Sequence, residues 1–435
     1  MKLLRQSYWF VLAYWEKYKK TILLSFLATL IFAVGGLIFW PALPKAKPNV
    51  YVGVVGKFTL SQIPAPIEKK LGVGLTVIGE DLLPKPGLAA SWEVLEGGKR
   101  YRFKLKDNLK WSNGKAIRAE DLNFAIPNVS VKKENGVIEF SLPEAFSPFP
   151  SILSKPVIKD GLLTAGEYNV AEIKVNGKFL ERVVLDSGKE QITFRFYDSV
   201  SQALLGFRLG EIDELQELIK KPEEASWPNV KLTNGVRKDM VVGVFYNTSN
   251  PLLADKSIRQ ALSYAIADKT YGQLRATSPI NPDSWAYNKF AKEYEYSAAR
   301  AKELLSKATK EPLKLELAAT PELLFVAENV ANDWRAVGVE TEVKVVSTPS
   351  DSFQAMIKVL EIPPDPDQYI YWHSTQETNF TNLQSAKIDK LLEDGRQTFD
   401  QEQRREVYLD FQRFSAEEAP ATFMYHPTTY TISRR

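Results

Sequence analysis

The feature that most constrains this chain is an uncharged run of twenty residues, Thr21–Trp40, near its N-terminus. A helix of that length rises about 1.5 Å per residue and spans the ~30 Å hydrocarbon core of a bilayer. The run lacks the polar stripe of a helix packed on a soluble core. We therefore predict a transmembrane helix over residues 21–40. A cleaved signal peptide fits less well, because its apolar region is usually ~7–15 residues long and Trp40–Pro44 is a poor cleavage site.

The charges around this run predict its orientation. Five basic residues precede it, whereas only Lys45 and Lys47 follow it closely. Because basic residues favour the cytoplasmic side, residues 1–20 are predicted to be cytoplasmic or interfacial, and the chain beyond the span extracytoplasmic. Prolines predict a stiff stalk over residues 41–49. The segment before the span is rich in aromatic residues, which suits either a helix lying at the membrane interface or a simple flank of the anchor: Tyr8, Trp9, Phe10, Tyr14, Trp15 and Tyr18.

The net charge of +3 hides two opposite contributions. Residues 1–49 carry seven Lys or Arg against the single acid Glu16, so the remaining chain is acidic. A basic body that binds nucleic acid is therefore not indicated. The absence of cysteine excludes disulfides, thiolate metal sites and a lipid-modified cysteine, and two histidines leave little for a multi-histidine metal site. We predict no metal and no cofactor.

The periodicity of apolar residues predicts a mixed α/β body. Residues 50–200 read mostly as strands, for example Tyr101–Leu105, where apolar and basic residues alternate. Helical patterns follow, such as Ser257–Ile266 and Pro321–Val337. The second of these stops at Gly338 and precedes the alternating segment Val339–Val346. Repeated helix–glycine–strand segments are typical of α/β units.

Two groups of residues could carry chemistry. Asp365 and Asp367 flank a proline and could hold a hard cation, although a proline-fixed turn with solvated acids is favoured. Asp367, His373 and Ser374 contain the residue types of a hydrolytic triad, but no Gly-x-Ser-x-Gly turn accompanies them, so that hypothesis is weak. Aromatic residues among Asn, Asp and Ser, notably Trp285 and Tyr371, suit either a ligand cleft or a core.

Several segments follow one another as in a known family. Pro86–Val94, Tyr101–Leu105, Lys110–Gly114 and Ala119–Asp121 resemble its early signature. Phe245–Thr248 and Ile258–Ile266 are similar to its "F-N-T…V-R-Q-A-L-x-Y-A-I" block, and the segment from Asp365 to Pro420 resembles its C-terminal block. The family is that of the bacterial extracellular solute-binding proteins, family 5, whose members supply peptides, nickel and related ligands to ABC importers.

The resemblance implies a two-lobed periplasmic-binding-protein type II fold of cluster C. Lobe I would comprise residues 50–250 plus 421–435, and lobe II residues 251–420, with a hinge near Asn247 and the ligand between the lobes. The protein would be a monomer. The residues expected at the ligand are Tyr246, Asn247, Trp285, Glu361, Asp367, Tyr371, Trp372 and Asn379.

One departure from the family bears on the ligand. Peptide-binding members carry a "W-x-A-D-Y" stretch before the Asp-Pro turn, and its Asp holds the amine of the peptide. Here Val359 stands in place of the Trp and Ile362 in place of the Asp. Glu361 is one residue away and, in a strand, would point to the other face. The resemblance therefore does not carry the peptide-amine contact over to this chain.

From these observations we predict a membrane-anchored extracytoplasmic solute-binding protein that is not an enzyme. It would deliver a peptide or related small solute to the permease subunits of an ABC importer, with its N-terminus in the cytoplasm and one helix crossing the cell membrane. The alternative is a non-transporting protein that keeps the fold, such as a sensor or an adhesin-like binding protein.

Overall fold

A computed structural model of the protein describes residues 2–39, 47–60, 62–159, 163–346 and 352–434. The chain divides into two compact units, Met1–Pro48 and Asn49–Arg435.

The N-terminal unit contains one continuous helix, α1 (Lys2–Phe39). The hydroxyls of Ser25 and Thr29 donate to carbonyls one turn earlier, those of Ile22 and Ser25, so these polar groups are satisfied within the helix. Within the described residues, no helix is both long enough and apolar enough to cross a membrane. Trp40, the last residue of the predicted span, and residues 41–46 of the predicted stalk lie outside the described residues. The membrane anchor therefore stays a prediction.

The second unit contains both helices and strands, which confirms the predicted α/β class. Its helices are α2 (Ala65–Leu71), α3 (Phe149–Ile152), α4 (Val200–Leu209), α5 (Lys256–Ala265), α6 (Ala298–Ala308), α7 (Leu324–Ala336), α8 (Tyr369–Trp372), α9 (Ala386–Gln397) and α10 (Gln401–Glu418). Its strands up to the middle of the chain are β1 (Asn49–Val55), β2 (Thr76–Ile78), β3 (Pro84–Pro86), β4 (Ala89–Leu95), β5 (Arg100–Leu105), β6 (Ser130–Glu134), β7 (Val137–Ser141), β8 (Ile158–Lys159), β9 (Leu163–Thr164), β10 (Asn169–Asn176), β11 (Phe179–Asp186) and β12 (Gln191–Tyr197). The later strands are β13 (Glu214–Leu218), β14 (Val230–Val236), β15 (Met240–Tyr246), β16 (Leu274–Arg275), β17 (Lys314–Ala319), β18 (Glu340–Val345), β19 (Ala355–Glu361), β20 (Ala421–His426) and β21 (Thr428–Arg434).

Among the described residues, seven strands form the first sheet, in the order β10-β11-β12-β1-β13-β21-β14. Strand β1 lies at its centre and pairs in parallel with both β12 and β13. Its buried residues Val52 and Val54 pack with Ile67 and Leu71 of α2, which fixes α2 against this sheet. The chain end returns as β21 and pairs antiparallel with β13 and β14.

Six described strands form the second sheet, in the order β16-β20-β15-β19-β17-β18. Helices α5 and α7 cover it, and their buried residues share one core with those of β15 and β17. Ile258, Leu262 and Ile266, predicted to line one helix face, are all buried. The predicted helix at Pro321–Val337 begins as a short 3-10 turn, Pro321–Leu323, and continues as α7.

A smaller sheet has the order β4-β5-β7-β6 among the described strands. Its inner face carries Tyr101, Phe103 and Leu105, which are buried as their alternation with basic residues predicts. Phe140 and Phe149 pack against these rings, Phe140 edge-on to Phe103 and Phe149 tilted against Tyr101.

The chain passes between the first and second sheets at two neighbouring connections. Residues 237–239 join β14 to β15, and Pro427 joins β20 to β21. The two connections touch, since the Arg237 amide donates to the Pro427 carbonyl over 2.9 Å. Strands β15 and β20 thus belong to the second sheet, although the predicted boundaries place residues 240–246 and 421–426 in lobe I. The reason is strand pairing: β15 lies between β19 and β20, which the boundary drawn from motif order could not reveal.

Candidate functional site

A cavity of about 700 Å³ lies between the first and second sheets. On the first-sheet side it is lined by the carboxyl end of β1, the start of α2, the start of α4 and β13. Arg237, Met240, Pro321, Glu322, Val359 and Glu361 line the other side. In open α/β sheets, ligands bind beyond the carboxyl ends of parallel strands, and β1 ends in this cavity. Size and position therefore make it the candidate ligand site.

Glu361 is the last residue of β19 and pairs with Met240 of β15. Its side chain is exposed to the cavity, and it forms no hydrogen bond or ion pair among the described residues. Its neighbour Ile362 is only 4% exposed and packs in the core of the second sheet. The Ile362 amide donates to the Asp239 carbonyl over 2.7 Å, which fixes the end of the strand. The last residue of the strand thus faces the cavity, and the residue after it faces the core.

Arg237 forms an ion cluster in the wall of the cavity. Its Nε and Nη2 atoms each donate to Asp239 over 2.8 Å, and Nη1 donates to Glu217. The hydrogen bonds that Arg237 donates to Asp239 raise the pKa of Arg237. Burial alone would raise the pKa of Asp239, but the hydrogen bonds and charge of Arg237 lower it overall. Glu217 adopts a φ of 60°, a left-handed conformation that non-glycine residues rarely adopt.

Glu68 on α2 lines a separate pocket together with Lys155. Burial raises the pKa of Glu68; the positive charge of Lys155 opposes this rise and the negative charge of Glu361 adds to it. Burial likewise raises the pKa of Glu361, against the attraction of Arg237. Like Glu361, Glu68 has no side-chain hydrogen bond or ion pair among the described residues.

The cations that line the cavity already have acidic partners. Arg237 is held by Asp239 and Glu217, and Lys57 lies 4.0 Å from Asp198. Within the described part of the chain, Arg237 and Lys57 are the Lys and Arg residues that line the cavity. Glu322, on the second-sheet side, joins Glu361 as a lining acid without an ion pair in that part of the chain. The cavity therefore presents unpaired negative charge.

The aromatic residues expected at the ligand lie mainly in the core of the second sheet. Tyr246 and Trp372 are 0% and 1% exposed, and the Tyr246 hydroxyl is 2.8 Å from that of Thr422. Trp285 and Tyr371 are half-buried against the same core. Burial raises the pKa of Tyr371, and the charge of Glu361 adds to that rise. Tyr371 is not among the residues that line the cavity.

The polar residues expected at the ligand mostly hold backbone segments. Asn247 donates its side-chain amide to the Phe353 carbonyl over 3.0 Å. Asn379 is buried and donates to the Leu383 carbonyl over 3.0 Å. Of the eight residues expected at the ligand, Glu361 lines the cavity, and the other seven are not among its lining residues.

The acids of the Asp-Pro-Asp turn bind arginines. Asp365 accepts two hydrogen bonds from Arg404, at 2.6 and 3.0 Å, and Asp367 accepts from Arg396 at 2.9 Å. The guanidinium of Arg396 also stacks 3.7 Å above the Tyr369 ring. In the described residues, no group of three or more His, Asp or Glu side chains is placed to hold a metal ion.

The residues of the weak hydrolase hypothesis do not assemble. His373 Nδ1 is 2.9 Å from the Thr375 hydroxyl, and Ser374 donates to Asp389 over 2.6 Å. Asp367, the third member, is engaged by Arg396. A nucleophile needs its base within hydrogen-bond reach, and these contacts point the groups elsewhere.

Reasoning from the sequence missed Glu68, Glu217, Arg237 and Asp239. They come from α2, β13 and the connection between the sheets, and nothing in their local sequence marks them. The unpaired state of Glu68 and Glu361 is also visible only in three dimensions.

Comparisons with known proteins agree with this fold. A family described as "Bacterial extracellular solute-binding proteins, family 5 Middle" matches residues 84–176 and 188–381, more than half of the chain. The chain is 24% identical to the oligopeptide-binding protein AppA of Bacillus subtilis, covering 89% of this chain and 88% of that protein. It is 24% identical to a dipeptide-binding protein of Escherichia coli, covering 80% and 82%. The solved structure of NikZ from Campylobacter jejuni in complex with Ni(L-His) superposes with a TM-score of 0.77 at 21% identity, covering 90% of this chain and 94% of NikZ.

Proposed function

The chain belongs to family 5 of the bacterial extracellular solute-binding proteins, and from this premise we propose that it binds a peptide or a related small solute outside the cytoplasm and delivers it to an ABC importer. The observation that carries the proposal is the cavity of about 700 Å³ between the two sheets. Its volume is in the range of ordinary small-molecule sites. Two similar proteins are named as an oligopeptide-binding and a dipeptide-binding protein, which supports a peptide or a related molecule as the solute.

The proposed mechanism is a hinge motion of the two sheets about the connections at residues 237–239 and Pro427. These are short and adjacent, so small changes in their φ and ψ angles rotate one sheet against the other. The solute enters the open cavity, stabilises the closed arrangement and is presented to the importer in that form.

We further propose that residues 21–40 anchor the protein in the cell membrane. The uncharged run supports this, as do apolar side chains along α1 that are exposed in its own unit, such as Phe26 at 68% and Phe32 at 85%. The sequence has no cysteine that could carry a lipid. Tethering would keep the protein near its importer and raise its effective concentration there.

The test uses the full chain in mild detergent. Peptides, amino acids and metal–amino-acid complexes are screened for a rise in melting temperature, and closure is followed by small-angle scattering. A solute at 100 times its Kd should stabilise the fold by about 2.7 kcal/mol. Val359→Trp, which fills the cavity, should abolish the rise, whereas Val345→Trp on the exposed face of β18 should not. If no solute raises the melting temperature and no closure occurs, the proposal fails. That result would favour the alternative of a non-transporting sensor or adhesin-like protein that keeps the fold.

A further inference from the structure

A separate cavity of about 400 Å³ lies in the region of the smaller sheet. It is formed by a turn at residues 110–116, the 3-10 turn Ala119–Asp121, and strands β8 and β9. Its described lining residues are Trp111, Lys115, Ala116, Arg118, Asp121, Lys159 and Leu163. This lining contains three cations and one acid, a balance opposite in sign to that of the solute cavity between the two large sheets.

The one acid of this lining is already engaged. One oxygen of Asp121 accepts a hydrogen bond from Lys159 Nζ over 2.6 Å, and the other accepts from the backbone amide of Arg118 over 3.2 Å. The hydrogen bond from Lys159 lowers the pKa of Asp121, and the N–H group of Trp111 adds to this effect. Asp121 therefore stays ionised and neutralises Lys159, which leaves the other two cations of the lining uncompensated.

Lys115 and Arg118 carry the uncompensated charge. Both residues are exposed, and neither side chain forms an ion pair or a hydrogen bond within the described residues. The turn holds the backbone of Lys115, because its amide donates to the Asn113 side chain over 3.1 Å and its carbonyl accepts from the Trp111 amide over 2.8 Å. Glu120, a close acid in the sequence, is not among the lining residues. The cavity therefore offers two cations to an anion.

The lining also contains a donor that has no partner. Trp111 is only 3% exposed, and its Nε1 atom is buried without a hydrogen bond in the described part of the chain. A buried donor that lacks an acceptor is costly to the fold. An anion bound in the cavity supplies oxygen acceptors next to this residue.

The cavity lies at the end of the first sheet that is opposite to the solute cavity. Ser112, in the turn that lines the cavity, donates to Asn169 at the start of β10. Asn169 starts a row of paired residues that crosses β11 and β12 and ends at Asn49, the first residue of β1. The solute cavity is instead lined by the carboxyl end of β1. The two cavities are therefore separate sites.

We propose that this separate cavity binds a phosphate monoester, whose phosphate group is held by Lys115 and Arg118. Two uncompensated cations match the charge of a phosphate monoester, which is about −1.5 to −2 at pH 7. A guanidinium group binds phosphate oxygens through two parallel hydrogen bonds, and an ammonium group adds a point charge. Cations that line a concave site also concentrate anions there. A soluble phosphate ester and a phospholipid headgroup present the same group, and the experiment distinguishes them.

The experiment is isothermal titration calorimetry on the full chain in dodecyl maltoside, with glycerol 3-phosphate and dihexanoylphosphatidic acid as probes. Lys115→Gln combined with Arg118→Gln should weaken the binding by at least about tenfold, the scale of one charge-assisted hydrogen bond. The matched variant is Lys104→Gln combined with Lys132→Gln, which removes the same charge from exposed residues of the smaller sheet that do not line the cavity. It should change the affinity by less than about twofold, because solvent screens charges outside the site.

Tighter binding of dihexanoylphosphatidic acid assigns the site to a phospholipid headgroup, and tighter binding of glycerol 3-phosphate assigns it to a soluble ester. The inference is overturned if neither probe binds, if the variant of Lys115 and Arg118 keeps the affinity, or if the matched variant loses as much. Melting temperatures of both variants show that each is folded. Because the probes contain no peptide and the site is separate, a negative result leaves the proposed solute-binding function standing.

Discussion

At the scale of single residues, the position of Glu361 beside Ile362 decides what the cavity presents. The alternation of a strand puts neighbouring side chains on opposite faces. Ile362, which stands where the family resemblance places an acid, is buried in the core, and Glu361 faces the cavity. The carboxylate of Glu361, which the sequence predicts on the strand face opposite to Ile362, is therefore the one available to a ligand.

The raised pKa values of Glu68 and Glu361 give a pH-dependent prediction. A carboxyl whose folded pKa lies above its ordinary value of 4.5 destabilises the fold when it is ionised. The free-energy cost of ionising this carboxyl in the folded protein is absent at a pH below its pKa in the unfolded chain. The cost appears as the pH rises through its pKa in the folded protein. We therefore expect Glu361→Gln or Glu68→Gln to raise the melting temperature at pH 7 relative to the unsubstituted chain, and the gain to shrink toward pH 4. Glu342→Gln serves as the control, and a gain that is the same at both pH values would contradict this account.

Arg404 is the clearest case of a buried charge with a structural role. Its side chain is 8% exposed, its Nη atoms bind Asp365, and its Nε donates to the Gly395 carbonyl over 2.7 Å. Removing one partner leaves the other charge buried and unpaired. We expect Arg404→Met to lower the free energy of unfolding by about 3–5 kcal/mol.

The matched control for Arg404 is its neighbour Arg405, which is 38% exposed and whose acidic partners, Glu402 and Glu406, lie at the surface. Arg405→Met should change the free energy of unfolding by less than about 0.5 kcal/mol, and a urea titration of both variants measures the two changes. The double variant of Arg404→Met with Asp365→Asn should recover part of the loss. A loss in the double variant equal to the sum of the single losses would show that the pair does not act as a unit.

At the scale of elements, the C-terminal end of α9 is the place where the smaller sheet region meets the second sheet. The last carbonyls of a helix have no partner within it. Here the Ser147 amide donates to the Arg396 carbonyl over 2.7 Å, and its hydroxyl donates to that of Gly395 over 3.2 Å. The Phe399 ring just beyond α9 packs directly on Gly98. Ser147 thus satisfies the last carbonyls of α9, and Gly98 packs against the residue that follows shortly after the helix.

The packing of Phe399 on Gly98 can be tested against a neighbouring glycine. Gly97 and Gly98 both have positive φ, 61° and 90°, but a Cβ on Gly97 would meet nothing within 4 Å, whereas one on Gly98 would collide with the Phe399 ring. Gly97→Ala should cost only the left-handed conformation, about 1–2 kcal/mol. Gly98→Ala should cost a further ~1–3 kcal/mol from overpacking. Phe399→Leu added to Gly98→Ala should return most of that difference in a urea titration, and no return would place the strain elsewhere.

The amphipathic elements were predictable because their signal is local. The helix at Ser257–Ile266 shows its buried face as residues four apart, and the strand at Tyr101–Leu105 shows its own as alternate residues. Exact ends were less predictable: the segment from Pro321 starts as a 3-10 turn, and the α-helix begins only at Leu324.

At the scale of the whole molecule, the anchor proposal makes the most direct prediction. The full chain expressed in a bacterium should sediment with membranes and stay there in alkaline carbonate. Leu27→Lys with Ile31→Lys should release it, because each charge at the centre of a span costs about 2.5–3.5 kcal/mol. The control is Leu205→Lys with Leu209→Lys, which changes two exposed leucines of α4 and should not release it. A soluble full chain, or a mature protein that begins near residue 45, would refute the anchor.

By itself, the sequence determined the apolar run near the N-terminus, the periodic helices and strands, the α/β class and the family. Each of these depends on residues close together in the chain, or on the order of motifs along it. Only the tertiary structure decided that Glu217, Arg237 and Glu361 surround one cavity, and that β15 and β20 belong to the second sheet. Strand pairing and the crossing of the chain at residues 237–239 and Pro427 bring these distant residues together. Whether a carboxylate is paired or free depends on which neighbours that crossing supplies, and a linear sequence does not specify those neighbours.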